Sequence, residues 1–287
     1  MQLIERLDPL RNAIADLRKD GPVALVPTMG ALHEGHMTLV REAKARAAHV
    51  AVSIFVNPRQ FGVGEDLDAY PRPLERDMAL LEAEDVSLLW HPPVREMYPN
   101  GYSTNISVSG VSEGLCGGDR PGHFDGVATV VCKLFNQVRP DMAFFGEKDW
   151  QQLAVIRRMA RDLDLVRPFV DAIHGVPTVR EDDGLAMSSR NAYLTPEQRQ
   201  QAATLPAAMR AAIARIEAGE PVTPALDALH SALTDGGFAS VDYAELRDAD
   251  SLAPLSGTPA SPARLLVAAR IGKARLIDNM AVTGSAP

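Results

Sequence analysis

The chain has 287 residues, enough for one large or two modest domains with a substantial core. Its formal net charge of -8 argues against nonspecific binding to nucleic acid or to an anionic membrane surface. It contains two cysteines, Cys116 and Cys132, without a C-x-x-C spacing, and no signal-peptide pattern or membrane-spanning apolar stretch. We therefore expect a soluble, cytoplasmic protein with no nucleic-acid or membrane partner.

The chain opens with an amphipathic helix pattern at residues 1–19, after which short apolar runs alternate with helical patterns. The predicted strands of this first half are residues 23–26, 50–56, 86–90, 141–145 and about 166–173. This alternation predicts an α/β fold with a Rossmann-like parallel sheet and helices on both faces. Ligands of such sheets bind at the carboxyl ends of the strands, so function is expected in the segments that follow them.

The segment after the first of these strands reads PTMGALHEGH at residues 27–36. The pattern predicts strand, loop and helix, with His33 in the loop and His36 in the first helical turn. Unpaired N–H groups at a helix start favour phosphate, and two imidazoles can donate hydrogen bonds to phosphoryl oxygens. The three-residue spacing disfavours a zincin site, whereas two histidines at a helix cap without chemistry remain an alternative.

Polar residues also follow two later strands. Asn57 and Gln60 could hydrogen-bond a small polar substrate, although Asn57-Pro58 also fits a plain turn. Lys148, in the sequence GEKD, is either a point charge for phosphate or a solvated surface lysine. The long connection 91–126 is rich in glycine and contains Arg120 and His123, which could close over an anion or lie on a surface excursion. It leads into a helix with a buried face from Val127 to Val138.

The rhythm changes near residue 177. A polar loop at 181–191 contains Ser189 and Arg190, which can bind phosphate oxygens. Together with the upstream H-x-G-H motif it resembles the second signature of the HIGH-motif nucleotidyl-transfer enzymes. We predict two domains, a Rossmann-like domain at 1–176 and a smaller α+β lid domain at 177–287 that contains the MSSR loop.

The C-terminal pattern gives this second domain its elements. Thr195 to Gln198 is a capping box that opens a helix with apolar positions from Leu205 to Ile216. A second helix is predicted to end at Gly236-Gly237, and three strands follow at 240–246, 264–271 and 275–280. Residues 253–262 are predicted to form a loop.

The motifs as a set resemble the pantothenate synthetase (pantoate-β-alanine ligase) family over nearly the whole chain. They are VPTMGALHEGH at 26–36, FVNPRQFG at 55–62, EDLDAYPR at 65–72, the run from Arg120 to Leu153, and REDDGLAMSSRNAYL at 180–194.

The resemblance implies that ATP and pantoate form a pantoyl adenylate and pyrophosphate. The amine of β-alanine then displaces AMP to give pantothenate, a coenzyme A precursor. It also implies an ATP site, whose residues are Met29, Gly30, Ala31, Leu32, His33, Glu34, Gly35, His36, Gly146, Glu147, Lys148, Asp149, Val179, Met187, Ser188, Ser189 and Arg190.

By the same resemblance, Gln60 and Gln152 bind pantoate, and Gln60 later binds β-alanine. The catalytic residues would be His36 as proton donor, with His33 and Lys148 as phosphate stabilisers. Further substrate-binding residues would be Asn57, Tyr70 and Arg120.

The resemblance also implies Mg²⁺, which would accompany ATP, and a homodimer. The sequence does not identify the Mg²⁺ ligands, for which Asp77 is a guess. Because acyl adenylates hydrolyse readily, we expect the loops 112–126 and 181–190 to close and exclude water.

Two alternatives stay open at this stage. One is another HIGH-motif nucleotidyltransferase of the cytidylyltransferase type, and the other is a regulatory module that binds ATP without turnover. The NPRQFG and RPGHF segments argue against the first, and the presence of both signatures with Gln60 and Gln152 argues against the second.

Overall fold

The computed structural model describes residues 1–62, 64–65, 67–257 and 259–283. The chain divides into two compact units. The first contains residues 1–112, 120–147 and 155–177, and the second contains 113–119, 148–154 and the residues from 178 onward. The predicted domain boundary between residues 176 and 177 placed two short segments of the second unit, 113–119 and 148–154, in the N-terminal domain. Asp66, in the motif at 65–72, and Thr258, in the predicted loop 253–262, lie outside the described residues.

The first unit is built on a six-stranded parallel sheet, which confirms the predicted α/β fold. The strand order is β1-β4-β3-β2-β5-β6. The strands are β1 (Gln2–Ile4), β2 (Val23–Thr28), β3 (His49–Ile54), β4 (Leu88–Trp90), β5 (Met142–Gly146) and β6 (Ile173–Val176). The central strands are almost wholly apolar and buried, as expected for a parallel sheet that is covered by helices.

Helices connect these strands. They are α1 (Leu7–Leu17), α2 (Glu34–Lys44), α3 (Leu74–Ala83), α4 (Val94–Met97) and α6 (His123–Val138), while α7 (Trp150–Asp162) has residues in both units. The predicted buried face of α6 is confirmed, because its apolar positions from Val127 to Val138 are buried. Within the described residues no helix combines the length and apolarity needed to cross a membrane.

Two predictions for the first unit are wrong. Residues 1–19 are not one helix, because Gln2–Ile4 pair with Leu88–Trp90 and the helix begins only at Leu7. This pairing partner lies more than eighty residues away, beyond the reach of local periodicity. The strand predicted at 166–173 begins only at Ile173, after a 3-10 turn at Val170–Ala172. The apolar run was misleading because Val166 and Phe169 are 78% and 52% exposed.

The second unit contains the antiparallel sheet β7-β8-β9, formed by β7 (Ser240–Asp248), β8 (Ala263–Ile271) and β9 (Ala274–Val282). Its helices are α5 (Leu115–Asp119), α8 (Pro196–Ala202), α9 (Thr204–Glu217) and α10 (Val222–Asp235). Leu205, Met209 and Ile216 of α9 pack in one apolar core with residues of α10 and of the sheet. The predicted small α+β domain is therefore present.

The capping box at Thr195 and Gln198 is confirmed, but the helix it opens is shorter than predicted. It ends at Ala202, and α9 begins at Thr204. Pro206 explains the division, because proline lacks the N–H that would bond the carbonyl of Ala202 and its ring would clash with that carbonyl. Proline is tolerated in the first turn of a new helix, where N–H groups have no intrahelical partner. Helix α5 is a further difference, since its residues belong to the predicted polar connection 91–126.

Gly126 lets α6 approach the 3-10 turn Pro58–Gln60 closely. A Cβ atom at residue 126 would lie 2.3 Å from the carbonyl oxygen of Arg59 and 2.7 Å from the Cα atom of Gln60. Both contacts are with backbone, which cannot move aside as a side-chain tip can. A residue with a Cβ atom would therefore not fit at position 126 without moving this backbone.

We predict that Gly126→Ala lowers the free energy of unfolding by about 1 to 3 kcal/mol, the usual cost of overpacking. Urea denaturation measures the change. Gly118→Ala is the control, because a Cβ atom there meets nothing within 4 Å. Equal unfolding midpoints for Gly126→Ala and the unmodified protein would contradict the close-approach argument.

Candidate functional site

Residues 29–33 form the loop from the end of β2 to the start of α2, and this loop with the first turn of the helix, which contains the H-x-G-H motif, is called the H-x-G-H loop. Gly30 and Ala31 have φ values of 84° and 52°, so the chain makes a left-handed turn directly after the strand. His33 is the N-cap residue of α2, and His36 is the third residue of that helix. The predicted placement of the two histidines is therefore confirmed.

The buried carboxylate of Asp77 holds this loop. Its Oδ2 accepts the backbone N–H of Ala31 at 2.8 Å, and its Oδ1 accepts that of Leu32 at 2.9 Å. Asp77 is 1% exposed, and burial raises the pKa of its carboxyl although the two backbone N–H groups oppose that change. Both carboxylate oxygens already accept hydrogen bonds from the loop. This favours Asp77 as an anchor of the loop over the metal-ligand role guessed from the sequence.

Sequence reasoning missed the role of Asp77, although a signal exists. Residues 74, 77, 78 and 81 share one face of α3 by helical spacing, and the other three are apolar. An aspartate on an apolar helix face predicts a buried carboxylate that needs donors. The identity of those donors, more than forty residues away, was not available from the pattern.

The two histidines are held by backbone groups that fix where their protons lie. Nδ1 of His33 accepts the N–H of Gly35 at 3.2 Å, and Nδ1 of His36 accepts the N–H of His33 at 3.3 Å. A neutral imidazole with an accepting Nδ1 carries its proton on Nε2. The two ring centroids are 4.2 Å apart. This arrangement provides two Nε2–H donors beside a helix N-terminus, as anion stabilisation requires.

Gln60 and Met29 are brought together in the first unit. Gln60 ends the 3-10 turn that Asn57 caps, and its Nε2 donates to Sδ of Met29 at 3.2 Å. Asn57 and Gln60 are 1% and 8% exposed. Tyr70 is also buried, with its ring edge-on to Phe61 at a centroid distance of 6.0 Å.

A polar cluster holds the main chain of Gln60. Arg120 forms a two-pronged ion pair with Glu65, with distances of 2.8 Å from Nε to Oε1 and 2.6 Å from Nη2 to Oε2. The carbonyl oxygen of Gln60 accepts from Nη2 of Arg120 at 3.3 Å and from Nδ1 of His123 at 2.8 Å. Arg120 thus has an internal carboxylate partner, and its direct binding of substrate stays a prediction.

In the second unit, Lys148 and Asp149 belong to the 3-10 turn Glu147–Asp149. Nζ of Lys148 lies 3.9 Å from Oδ2 of Asp149, and the carbonyl oxygen of Lys148 accepts from Nδ2 of Asn279 at 2.9 Å. Gln152 lies on α7, while Gly146 and Glu147 belong to the first unit. Asn279 thus holds the main chain at Lys148, a role that no sequence pattern indicates.

The MSSR segment is also held in place from within the second unit. Arg180 forms a two-pronged pair with the buried carboxylate of Asp278, at 2.7 and 2.9 Å, and donates to the carbonyl oxygen of Gly184 at 3.0 Å. The N–H of Met187 donates to the carbonyl oxygen of Val179 at 3.0 Å. Ser188 caps the 3-10 turn Ser189–Tyr193 by accepting the N–H of Arg190. The Arg180-Asp278 pair was missed because its partners are 98 residues apart.

The described segments contain no group of three or more His, Cys, Asp or Glu side chains that could hold a metal ion.

The Glu65-Arg120 pair should make stability depend on pH. Burial opposes ionisation of Glu65, but the hydrogen bonds and charge of Arg120 outweigh it and lower the pKa of the carboxyl. A lowered pKa means stability that is present above the unfolded-state pKa of about 4.3 and is lost as pH falls through the folded-state value. We predict that Glu65→Gln lowers the free energy of unfolding by about 1 to 2 kcal/mol at pH 7 and by less at pH 3.5.

Urea denaturation at the two pH values measures this difference. Asp16→Asn is the control, because Asp16 and Lys19 form an exposed pair whose contribution is expected to be near zero. A pH-independent effect of Glu65→Gln would show that the charge of Glu65 is not what stabilises the cluster.

Comparison with known proteins identifies the family. The family described as Pantoate-beta-alanine ligase matches residues 2–281. A pantothenate synthetase of Novosphingobium aromaticivorans is 69% identical over 283 residues, which are 98% of this chain and 99% of the relative. That of Sphingopyxis alaskensis is 59% identical over 98% of this chain and the whole of the relative.

Solved structures agree with this match. The crystal structure of pantothenate synthetase from Thermus thermophilus has a TM-score of 0.90 and 48% identity, and covers 98% of this chain and 99% of that one. A pantoate-β-alanine ligase from Francisella tularensis, described as complexed with β-γ ATP and β-alanine, has a TM-score of 0.81 and 32% identity over 98% and 97% of the two chains. The chain belongs to the pantoate-β-alanine ligase family.

Proposed function

We propose that this protein condenses pantoate with β-alanine to pantothenate, using ATP and releasing AMP and pyrophosphate. It is an ATP-dependent ligase that forms an amide bond. The observation that carries the proposal is the H-x-G-H loop, whose two imidazoles are held with Nε2 as the protonated nitrogen at the start of α2. The family match over residues 2–281 favours this reaction over a cytidylyltransferase or an ATP-sensing module.

The first step is formation of the adenylate. A carboxylate oxygen of pantoate attacks the α-phosphorus of ATP, a new P–O bond forms, and the bond to pyrophosphate breaks. Negative charge builds on the phosphoryl oxygens, so N–H donors that are already oriented lower the barrier. His36, the proton donor that the family resemblance implies, donates the Nε2–H to a phosphoryl oxygen as this charge builds, with His33 beside it. No protein nucleophile is needed.

The second step forms the amide. The amine of β-alanine attacks the acyl carbon of the adenylate, a C–N bond forms, the C–O bond to AMP breaks, and the nitrogen releases one proton to solvent. Gln60 holds pantoate in the first step and β-alanine in the second. The substrate-binding assignment also includes Gln152, Asn57, Tyr70 and Arg120.

The ATP contacts are assigned separately for each unit. Those of the first unit are Met29, Gly30, Ala31, Leu32, His33, Glu34, Gly35, His36, Gly146 and Glu147. Those of the second unit are Lys148, Asp149, Val179, Met187, Ser188, Ser189 and Arg190, with Lys148 as a phosphate stabiliser. Support comes from the family match over residues 2–281 and from the Francisella tularensis relative described with β-γ ATP.

Mg²⁺ is proposed to enter with ATP. Mg²⁺ in such sites is usually held by substrate phosphates, water and one or two carboxylates, so it needs no cage of protein ligands. Its contribution when bound is neutralisation of phosphate charge. We also propose a homodimer and a cytoplasmic location, which are supported by the family resemblance and, for the location, by the two reduced, buried cysteines.

His36→Ala tests the role of the second imidazole. We expect pantoate-dependent ATP/pyrophosphate exchange to fall about a hundredfold or more, because an oriented donor to the developing charge is lost. His230→Ala, an exposed histidine of α10, is the control. Near-normal turnover of His36→Ala would remove His36 from the proposed mechanism.

Asp77→Asn tests whether the carboxylate of Asp77 anchors the H-x-G-H loop. An amide has one acceptor oxygen, so the N–H of either Ala31 or Leu32 loses its acceptor. We expect about a 10- to 100-fold lower exchange rate because the loop is no longer held. Burial raises the pKa of Asp77, so the ionised carboxyl costs stability at neutral pH and the variant should remain folded.

The control for this variant is Glu75→Gln, which removes an exposed carboxylate two residues away on the same helix. Both variants are compared by melting temperature and exchange rate. An exchange rate for Asp77→Asn equal to that of Glu75→Gln would contradict the anchor role.

A further inference from the structure

Asn57 is buried and uses all four hydrogen-bonding positions of its amide. Its Oδ1 accepts the N–H of Arg59 at 3.3 Å and the hydroxyl of Tyr98 at 2.8 Å. Its Nδ2 donates to the carbonyl oxygen of Gly126 at 3.1 Å and to Oε1 of Gln60 at 3.0 Å. An asparagine amide offers two donors and two acceptor positions, so the set is complete.

Backbone groups fix which way this amide points. The N–H of Arg59 can only donate, and the carbonyl of Gly126 can only accept. The opposite orientation of Asn57 would place donor against donor and acceptor against acceptor. The nitrogen of Asn57 must therefore face Gln60.

The orientation of Asn57 then determines that of Gln60. Because Nδ2 of Asn57 can only donate, the atom of Gln60 that faces it is Oε1. The amide nitrogen of Gln60 is turned to the other side, where it lies 3.2 Å from Sδ of Met29. Thioether sulfur is a weak acceptor, so an oxygen of a ligand would replace it at low cost.

Tyr98 is the side chain that completes this set. Its hydroxyl donates, since Oδ1 of Asn57 can only accept, and burial raises the pKa of the phenol so that the proton is retained. The ring is fixed by Phe55 and Tyr102, at centroid distances of 6.1 and 5.0 Å, and by the guanidinium carbon of Arg59 at 5.5 Å. Tyr98 therefore reaches Asn57 from a rigid position.

We infer that Tyr98 is a positioning residue that acts through Asn57 to keep the amide nitrogen of Gln60 turned toward the substrate. The inference rests on the proposed function, in which Gln60 binds pantoate. An oriented N–H recognises a carboxylate or hydroxyl oxygen, whereas a reversed amide would present its own oxygen and repel that group. Because its own amide is saturated, Asn57 contributes to substrate binding through Gln60, which narrows the substrate-binding role assigned to it above.

The main chain of Gln60 is held independently of this set. Its carbonyl oxygen is bound by Arg120 and His123. Loss of the Tyr98 hydroxyl should therefore loosen the side-chain amide and leave the backbone in place. This separation makes the hydroxyl testable without disturbing the fold.

The test is Tyr98→Phe, with Tyr102→Phe as the matched control. We expect the KM for pantoate in the exchange assay to rise about 3- to 10-fold in Tyr98→Phe, the usual effect of one lost hydrogen bond. The KM for ATP should be unchanged, and so should both constants in Tyr102→Phe. A pantoate KM equal to that of the unmodified enzyme, or an equal rise for both substrates, would overturn the inference.

A double-mutant cycle separates positioning from a general structural effect. If Tyr98 acts through Gln60, adding Tyr98→Phe to Gln60→Ala should cause no further loss in kcat/KM for pantoate. Losses that multiply would show that Tyr98 acts independently and would overturn the inference.

Failure of the proposed function would look different. In that case the unmodified enzyme itself would show no pantoate-dependent exchange. An active unmodified enzyme with a fully active Tyr98→Phe variant refutes the positioning role alone.

Discussion

The proposed chemistry depends on two hydrogen bonds, which the buried carboxylate of Asp77 accepts from successive N–H groups of the H-x-G-H loop. The loop leaves β2 through a left-handed turn that has no regular secondary structure to hold it. A buried carboxylate needs donors, and a turn of this kind exposes them, so each satisfies the other. His33 and His36 follow directly, and their placement relies on the turn.

The same principle recurs at the other segments assigned to the site, each within its own unit. Asp278 holds Arg180 beside the MSSR segment, Asn279 holds the main chain of Lys148, and Asn57 holds the amide of Gln60. In every case a buried polar side chain completes its hydrogen bonds with the group it orients. Contacts that orient a neighbouring group in this way fix the direction of hydrogen-bond donors before substrate arrives. They thereby reduce the reorganisation that the reaction requires.

Local patterns predicted the α/β fold, most strands and the motif segments, because apolar periodicity, capping residues and strand ends are local properties. Strand β1 was missed because its partner Leu88–Trp90 is distant in sequence, and β6 was misplaced because Val166 and Phe169 are apolar yet exposed. The supporting roles of Asp77 and Tyr98 were missed for the same reason that β1 was missed. Their partners lie 45 and 41 residues away, and only the folded chain brings them together.

The central claim is that this protein activates pantoate as an adenylate and transfers the acyl group to β-alanine. The most direct measurement is ATP/pyrophosphate exchange with Mg²⁺, with and without pantoate, followed by AMP release when β-alanine is added. The account predicts exchange only with pantoate and sustained AMP release only with both substrates. ATP binding without pantoate-dependent exchange would contradict it.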